Sequence, residues 1–173
     1  ALIGIDPARA QVMVDHLNRY LRATLSGSRA STHPLAAEFA RLEDYLELMA
    51  IRMGPRLHFT LDLPADLRDV PVPPLLLQPL VENAIRHGLE PDIEGGHITV
   101  RARQEANTLV LEVADTGMGF DAETPALRTS TGGFGLTQVR ERLATAFGPT
   151  ATLELRADKD QGTLGTIRFS LKS

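Results

Sequence analysis

Leu109-Val-Leu-Glu-Val-Ala-Asp-Thr-Gly-Met-Gly-Phe120 reads as a strand that ends by sending a carboxylate toward the core. Side chains alternate across a strand, so Leu109, Leu111, Val113 and Asp115 share one side, and the three apolar residues mark that side as the buried one. A buried carboxylate costs several kcal/mol unless something completes its hydrogen bonding. No base stands near Asp115 in the sequence. The exocyclic amino group of adenine would satisfy it, and Gly117 and Gly119 would let backbone approach the purine with no Cβ in the way. The bland alternative is an Asp-x-Gly turn closing a strand.

Two further stretches sharpen that choice. In Leu77-Gln-Pro-Leu-Val-Glu-Asn-Ala-Ile-Arg-His-Gly88, helical spacing buries Leu77, Leu80, Val81, Ala84 and Gly88. It gathers Asn83, Arg86 and His87 on another face, at i, i+3 and i+4. A carboxamide oxygen is a hard ligand suited to Mg²⁺, and a guanidinium neutralises polyphosphate charge. Pro79 either kinks this helix or marks its first turn. Thr131-Gly-Gly-Phe-Gly-Leu136 then opens another helix near Leu136, and backbone N–H groups at such a junction favour an anion. No Gly-Lys-[Ser/Thr] follows, so this is not a P-loop. Asp121–Ser130 is polar and reads as a lid. In the last strand, Thr163 shares the phase of Gly165, Ile167 and Phe169 and is expected to point inward beside Asp115. Thr166 is expected to point out with Arg168.

Around these motifs the pattern changes once. Ala10, Met13, Leu17, Tyr20 and Thr24 recur at helical spacing after Asp6-Pro7, and Leu35, Phe39, Leu42, Leu46, Met49 and Met53 step by four and three until Gly54-Pro55. These predict a two-helix hairpin over 1–55. Its stripes would be covered either by a second copy, in a four-helix bundle, or by the domain that follows. Over 56–173, strands at His58–Leu63, Ile98–Arg103, Leu109–Asp115, Ala151–Ala157 and Thr163–Leu171 mix with helices at 77–88 and 136–147. Gln104–Thr108 reads as a hairpin loop. The expected fold is α+β, with helices on one face of a mostly antiparallel sheet.

The chain's 173 residues, 43% hydrophobic and 23% charged, suit one compact core plus a smaller appendage. A net charge of −4 argues against nucleic acid as the partner. The absence of cysteine excludes disulfides and thiolate metal sites, and points to a reducing compartment. No apolar run approaches the ~18 residues of a membrane span.

Taken in order, the Asn83, Asp115 and glycine-turn elements resemble the Bergerat-fold ATPases. Within them, the 77–88 stretch, Gly133-Phe-Gly-Leu-Thr-Gln-Val-Arg-Glu-Arg-Leu143 and the helix Leu42–Leu57 resemble the LytS-type sensor histidine kinases. The resemblance covers nearly the whole chain. It implies that Asn83 holds Mg²⁺, Arg86 and His87 approach the phosphates of ATP, and Asp115 binds the adenine amino group. It further implies that Gly117 and Gly119 line the base, Gly133 and Gly135 form the lid hinge, Thr163 backs Asp115, and Phe120 and Leu136 also belong to the ATP site. Arg86 would be catalytic by charge neutralisation, and Glu82 would be the polarising base. Many better-known histidine kinases carry Asn four residues before the metal-binding Asn, where this chain has Pro79.

The phosphoacceptor of this family lies in Asn-Pro-His-Phe-Leu-Phe-Asn, a motif absent from 1–173 and expected upstream of Ala1. His16, the sole histidine of the first helix, lacks that context. The partners implied are a second copy through the N-terminal helices and a response regulator. The location implied is the cytoplasm, with membrane attachment only through an upstream sensor. A nucleotide-binding regulatory module without phosphotransfer is the alternative. Asp115-Thr-Gly117 also matches an aspartic protease signature, which leaves Asn83 and the glycine turn unexplained.

Overall fold

The structure, a computed structural model, describes residues 7–27, 32–117, 133–157 and 162–171. Helix α1 (Pro7–Gly27) precedes a short strand β1 (His33–Pro34) and helix α2 (Leu35–Met53). Gly54 ends α2 at φ 65°, a left-handed conformation that glycine adopts without a Cβ penalty, and its N–H bonds to Ala50 O. At the other end, the free N–H groups of Leu35 and Ala36 bond to Val70 O and Arg68 O. A short strand β3 (Pro71–Val72) pairs with β1, an element that the sequence pattern did not reveal.

The main sheet has five strands in the order β2-β4-β5-β7-β6. They are β2 (Leu57–Asp62), β4 (Gly96–Glu105), β5 (Thr108–Asp115), β6 (Thr152–Ala157) and β7 (Thr163–Ser170). Only β2 and β4 run parallel; the other pairings are antiparallel, as the hairpin signals predicted. The β4–β5 turn is tighter than expected, holding only Ala106 and Asn107, with Ala106 at φ 53°.

One sheet face carries Ile98, Val100, Leu109, Leu111, Val113, Ile167 and Phe169 into a single core, and helices cover that face. Helix α3 (Gln78–Asn83) continues without a break into a π-helical turn, Ala84–Leu89. Helix α4 (Gly133–Phe147) adds Leu136, Val139 and Leu143. Pro79 sits in the first turn of α3, where its missing N–H costs nothing, so it starts the helix rather than kinking it. The opposite sheet face is polar, with Arg103 paired to Glu112 at 2.8 Å. Thr166 lies on that face, as its phase required, yet is only 2% exposed. It stands between Glu112 and Glu154 in register, and such long side chains can cover a central position.

The seam of α2 does not wait for a second copy. Leu35, Phe39, Leu42, Leu46 and Met53 are at most 5% exposed and belong to the same core as the sheet. Helix α1 packs along α2 and leaves Val12, Val14 and Leu17 at 47%, 45% and 39% exposure. His16 is instead buried, with Nε2 3.0 Å from Glu47 and Nδ1 3.7 Å from Asp44.

Candidate functional site

Asp115 closes strand β5 in the middle of the sheet, opposite Ile98 on one side and Thr163 on the other. It is 3% exposed, and its Oδ1 accepts the Gly117 N–H at 3.0 Å. The turn beyond it is fixed twice to β4: Thr116 N–H donates to His97 O at 3.1 Å, and His97 N–H donates to Thr116 Oγ1 at 2.9 Å.

The π-helical turn closes over this carboxylate at a distance that only glycine permits. A Cβ on Gly88 would lie 2.7 Å from Asp115 Oδ1, and one on Gly117 would lie 2.1 Å from Gly88 O. The first contact demands a shift and the second is impossible without moving backbone. On the far side, a Cβ on Gly162 would meet Asp115 O at 1.7 Å. Gly88 thus borders the carboxylate itself, while Gly117 and Gly162 let the neighbouring backbone close around Asp115. Gly162 and Thr116 were invisible as site residues in the sequence, because their roles come from contacts across strands. Gly88 was legible as a buried helix position, but its approach to Asp115 was not.

Above this floor the π-turn changes how Asn83, Arg86 and His87 are displayed. Regular helical spacing would stack them on one face. Here Glu90 N–H bonds to Ile85 O, five residues back, which widens the turn. Arg86 is exposed, while Asn83 and His87 are half-buried. Among the described residues, His87 Nε2 is buried with no hydrogen-bond partner, a polar atom that needs one. Asn83 makes no side-chain hydrogen bond to another described residue. Glu82 accepts from Gln78 Nε2 at 3.1 Å, one turn earlier on the same helix. Such π-turns recur at functional sites.

Gly133 and Gly135 lie inside the first turn of α4, which starts three residues earlier than the helix start near Leu136 that the sequence suggested. Their N–H groups therefore fall among the first four of the helix, which have no intrahelical partner. Leu136 is 7% exposed and belongs to the core. Thr163 is half-exposed directly across from Asp115. Gly119, Phe120 and the Asp121–Ser130 segment fall outside the described residues.

The donors present fit a nucleotide and its metal. Among the described residues, an imidazole nitrogen and a carboxamide without hydrogen-bond partners stand on one helix, close to a buried acid that Gly88 approaches. Among the described residues no three His, Cys, Asp or Glu side chains converge. One Asn therefore suits Mg²⁺, which is commonly held by one or two protein groups together with phosphates and water.

Comparison with known proteins agrees with this geometry. The model of the histidine kinase-, DNA gyrase B-, and HSP90-like ATPase family matches residues 73–173, and a histidine kinase family model matches residues 1–57. Sensor protein LytS of Staphylococcus saprophyticus is 33% identical over 170 residues, covering 94% of this chain and 29% of that protein. Sensor histidine kinase BtsS of Escherichia coli is 30% identical over 169 residues, covering 98% of this chain and 29% of that protein. The chain thus spans less than a third of the length of these relatives. Among solved structures, Acinetobacter baumannii histidine kinase AdeS superposes with a TM-score of 0.62 at 18% identity, covering 100% of this chain and 96% of that one. The histidine kinase domain of an Erythrobacter litoralis blue-light activated kinase gives 0.61 at 18% identity, covering 98% and 79%. The chain belongs to the family of histidine kinase-, DNA gyrase B-, and HSP90-like ATPases.

Proposed function

We propose that this chain is the ATP-binding catalytic region of a sensor histidine kinase, with residues 1–55 as the helical segment and 56–173 as the catalytic domain. The observation that carries the site assignment is Asp115, an acid 3% exposed that Gly88 of the π-turn approaches too closely for any Cβ. Its carboxylate accepts from the adenine amino group, Thr163 supports it from β7, and Gly117 lets the base approach. Gly119 and Phe120 continue that lining. Asn83 holds Mg²⁺, which supplies charge neutralisation at the phosphates. His87 and Arg86 reach the phosphates, together with the N–H groups at Gly133 and Gly135.

Catalysis is positioning plus electrostatics, as in phosphoryl transfer generally. The acceptor imidazole, outside residues 1–173, attacks the γ-phosphorus with one ring nitrogen. The bond to ADP breaks as the P–N bond forms, and Glu82 takes the proton from the other ring nitrogen. The phosphoryl group then passes to an aspartate of a response regulator. The kinase works as a homodimer through its N-terminal helices, for which the exposed Val12, Val14 and Leu17 of α1 offer apolar surface. It acts in the cytoplasm, with any membrane attachment supplied by a sensor segment.

The test is γ-labelled ATP and Mg²⁺ added to the chain extended upstream to its acceptor motif. Label stable to alkali and lost in acid is expected, and Asn83→Ala removes it. ATP binding without any such label contradicts phosphotransfer and leaves a regulatory nucleotide module.

A further inference from the structure

Glu38 is the most thoroughly buried charged residue among those described, at 0% exposure, and nothing in the nucleotide site uses it. A buried carboxylate persists only where donors compensate its lost hydration. Two do so here. Leu77 N–H donates to Oε1 at 2.9 Å, and Oε2 lies 2.7 Å from His33 Nε2. Leu77 is the residue immediately before α3, so Glu38 of α2 holds the entrance of the helix that carries Asn83. At the exit, Glu90 caps the π-turn, and the Arg52 guanidinium of α2 binds the Glu90 carboxylate. Just beyond, Arg56 donates to Asp92 O at 2.9 Å. The helical segment thus grips the Asn83 segment before it begins and after it ends. Between the two grips lies the π-turn, whose register is that of neither an α- nor a 3₁₀-helix.

Given the metal-nucleotide site proposed above, we propose that Glu38 is a positioning residue for it, acting with Arg52 to fix the Asn83 carboxamide relative to the sheet. Asp115 itself stands on strand β5, outside both grips, and only Gly88 of the gripped turn borders it. Their loss is therefore expected to weaken metal-dependent binding more than metal-independent binding, a difference that a general loss of stability does not produce.

The experiment is displacement of a fluorescent ATP analogue by ATP from this chain, with Mg²⁺ and again with EDTA. Glu38→Ala is expected to weaken binding about tenfold with Mg²⁺, in the range seen when groups behind a metal ligand are removed, and by less than about twofold in EDTA. Glu38→Gln is expected to stay within about twofold of wild type in both. Its amide oxygen can accept from Leu77 while its NH₂ donates to a neutral His33 ring. Should Glu38→Ala prevent folding, Arg52→Ala at an exposed position replaces it, with an expected loss of about threefold confined to Mg²⁺, the size of a surface ion pair. Equal losses with and without Mg²⁺, or no loss in either variant that folds, overturn the proposal. A wild-type chain that fails to bind ATP overturns the site itself, and does so before any variant is made.

Discussion

At the scale of single residues, the site is a matter of what is missing. Asp115 can sit under the π-turn because positions 88 and 117 carry no Cβ, and the distances of 2.7 and 2.1 Å leave no room for one. Gly117→Ala must push the Gly88 carbonyl away. Overpacking of this kind costs roughly 1–3 kcal/mol, so a lower urea midpoint is expected at unchanged slope. Gly88→Ala meets a side chain instead of backbone, and Asp115 can turn aside. Its stability loss is expected to be smaller than that of Gly117→Ala, while its nucleotide affinity falls at least tenfold. An unchanged affinity in Gly88→Ala would contradict the position assigned to the base. The phase argument along β5 found Asp115 and its opposite neighbour Thr163 because a strand's period of two is exact. Gly88 and Gly162 escaped because their importance lies between elements, where sequence spacing carries no information.

At the scale of elements, the helices were legible and their partners were not. The four-and-three stepping of Leu35, Phe39, Leu42, Leu46, Met49 and Met53 announced one apolar stripe, but a stripe does not say what covers it. The answer is the sheet domain, which leaves α1 as the helix with exposed apolar residues. The π-turn was equally hidden, since Ala84–Leu89 has the composition of an ordinary helix. Turn chemistry was legible in kind but not in length. Ala106, at φ 53°, takes a conformation that costs an L-residue about 1–2 kcal/mol. Ala106→Gly removes that strain and adds unfolded-state entropy, so a net gain of about 0.5 kcal/mol is expected by urea unfolding. Arg142 of α4 joins its helix to the segment before α3, donating to Pro74 O and Leu75 O at 3.1 Å each. Arg142→Ala strands both carbonyls and is expected to cost about 1–3 kcal/mol.

At the scale of the whole molecule, the parts divide the work. In the proposed site, the sheet supplies the acid, α3 and its π-turn the metal and phosphate donors, α4 the anion-binding N–H groups, and α2 the grip on α3. Helix α1 leaves Val12, Val14 and Leu17 exposed. Leu17→Asp combined with Val14→Asp is therefore expected to shift the chain toward monomer in sedimentation velocity, with ATP affinity unchanged. A dimer that survives both changes would remove α1 from the interface. The most direct measurement is calorimetric titration of ATP into the wild-type chain and Asp115→Asn, both in Mg²⁺. The account predicts measurable wild-type binding and at least a tenfold loss in the variant, since a hydrogen bond to a charged group is worth about 1.5–3 kcal/mol. Affinities within twofold of each other, in a variant that keeps its fold, would contradict it.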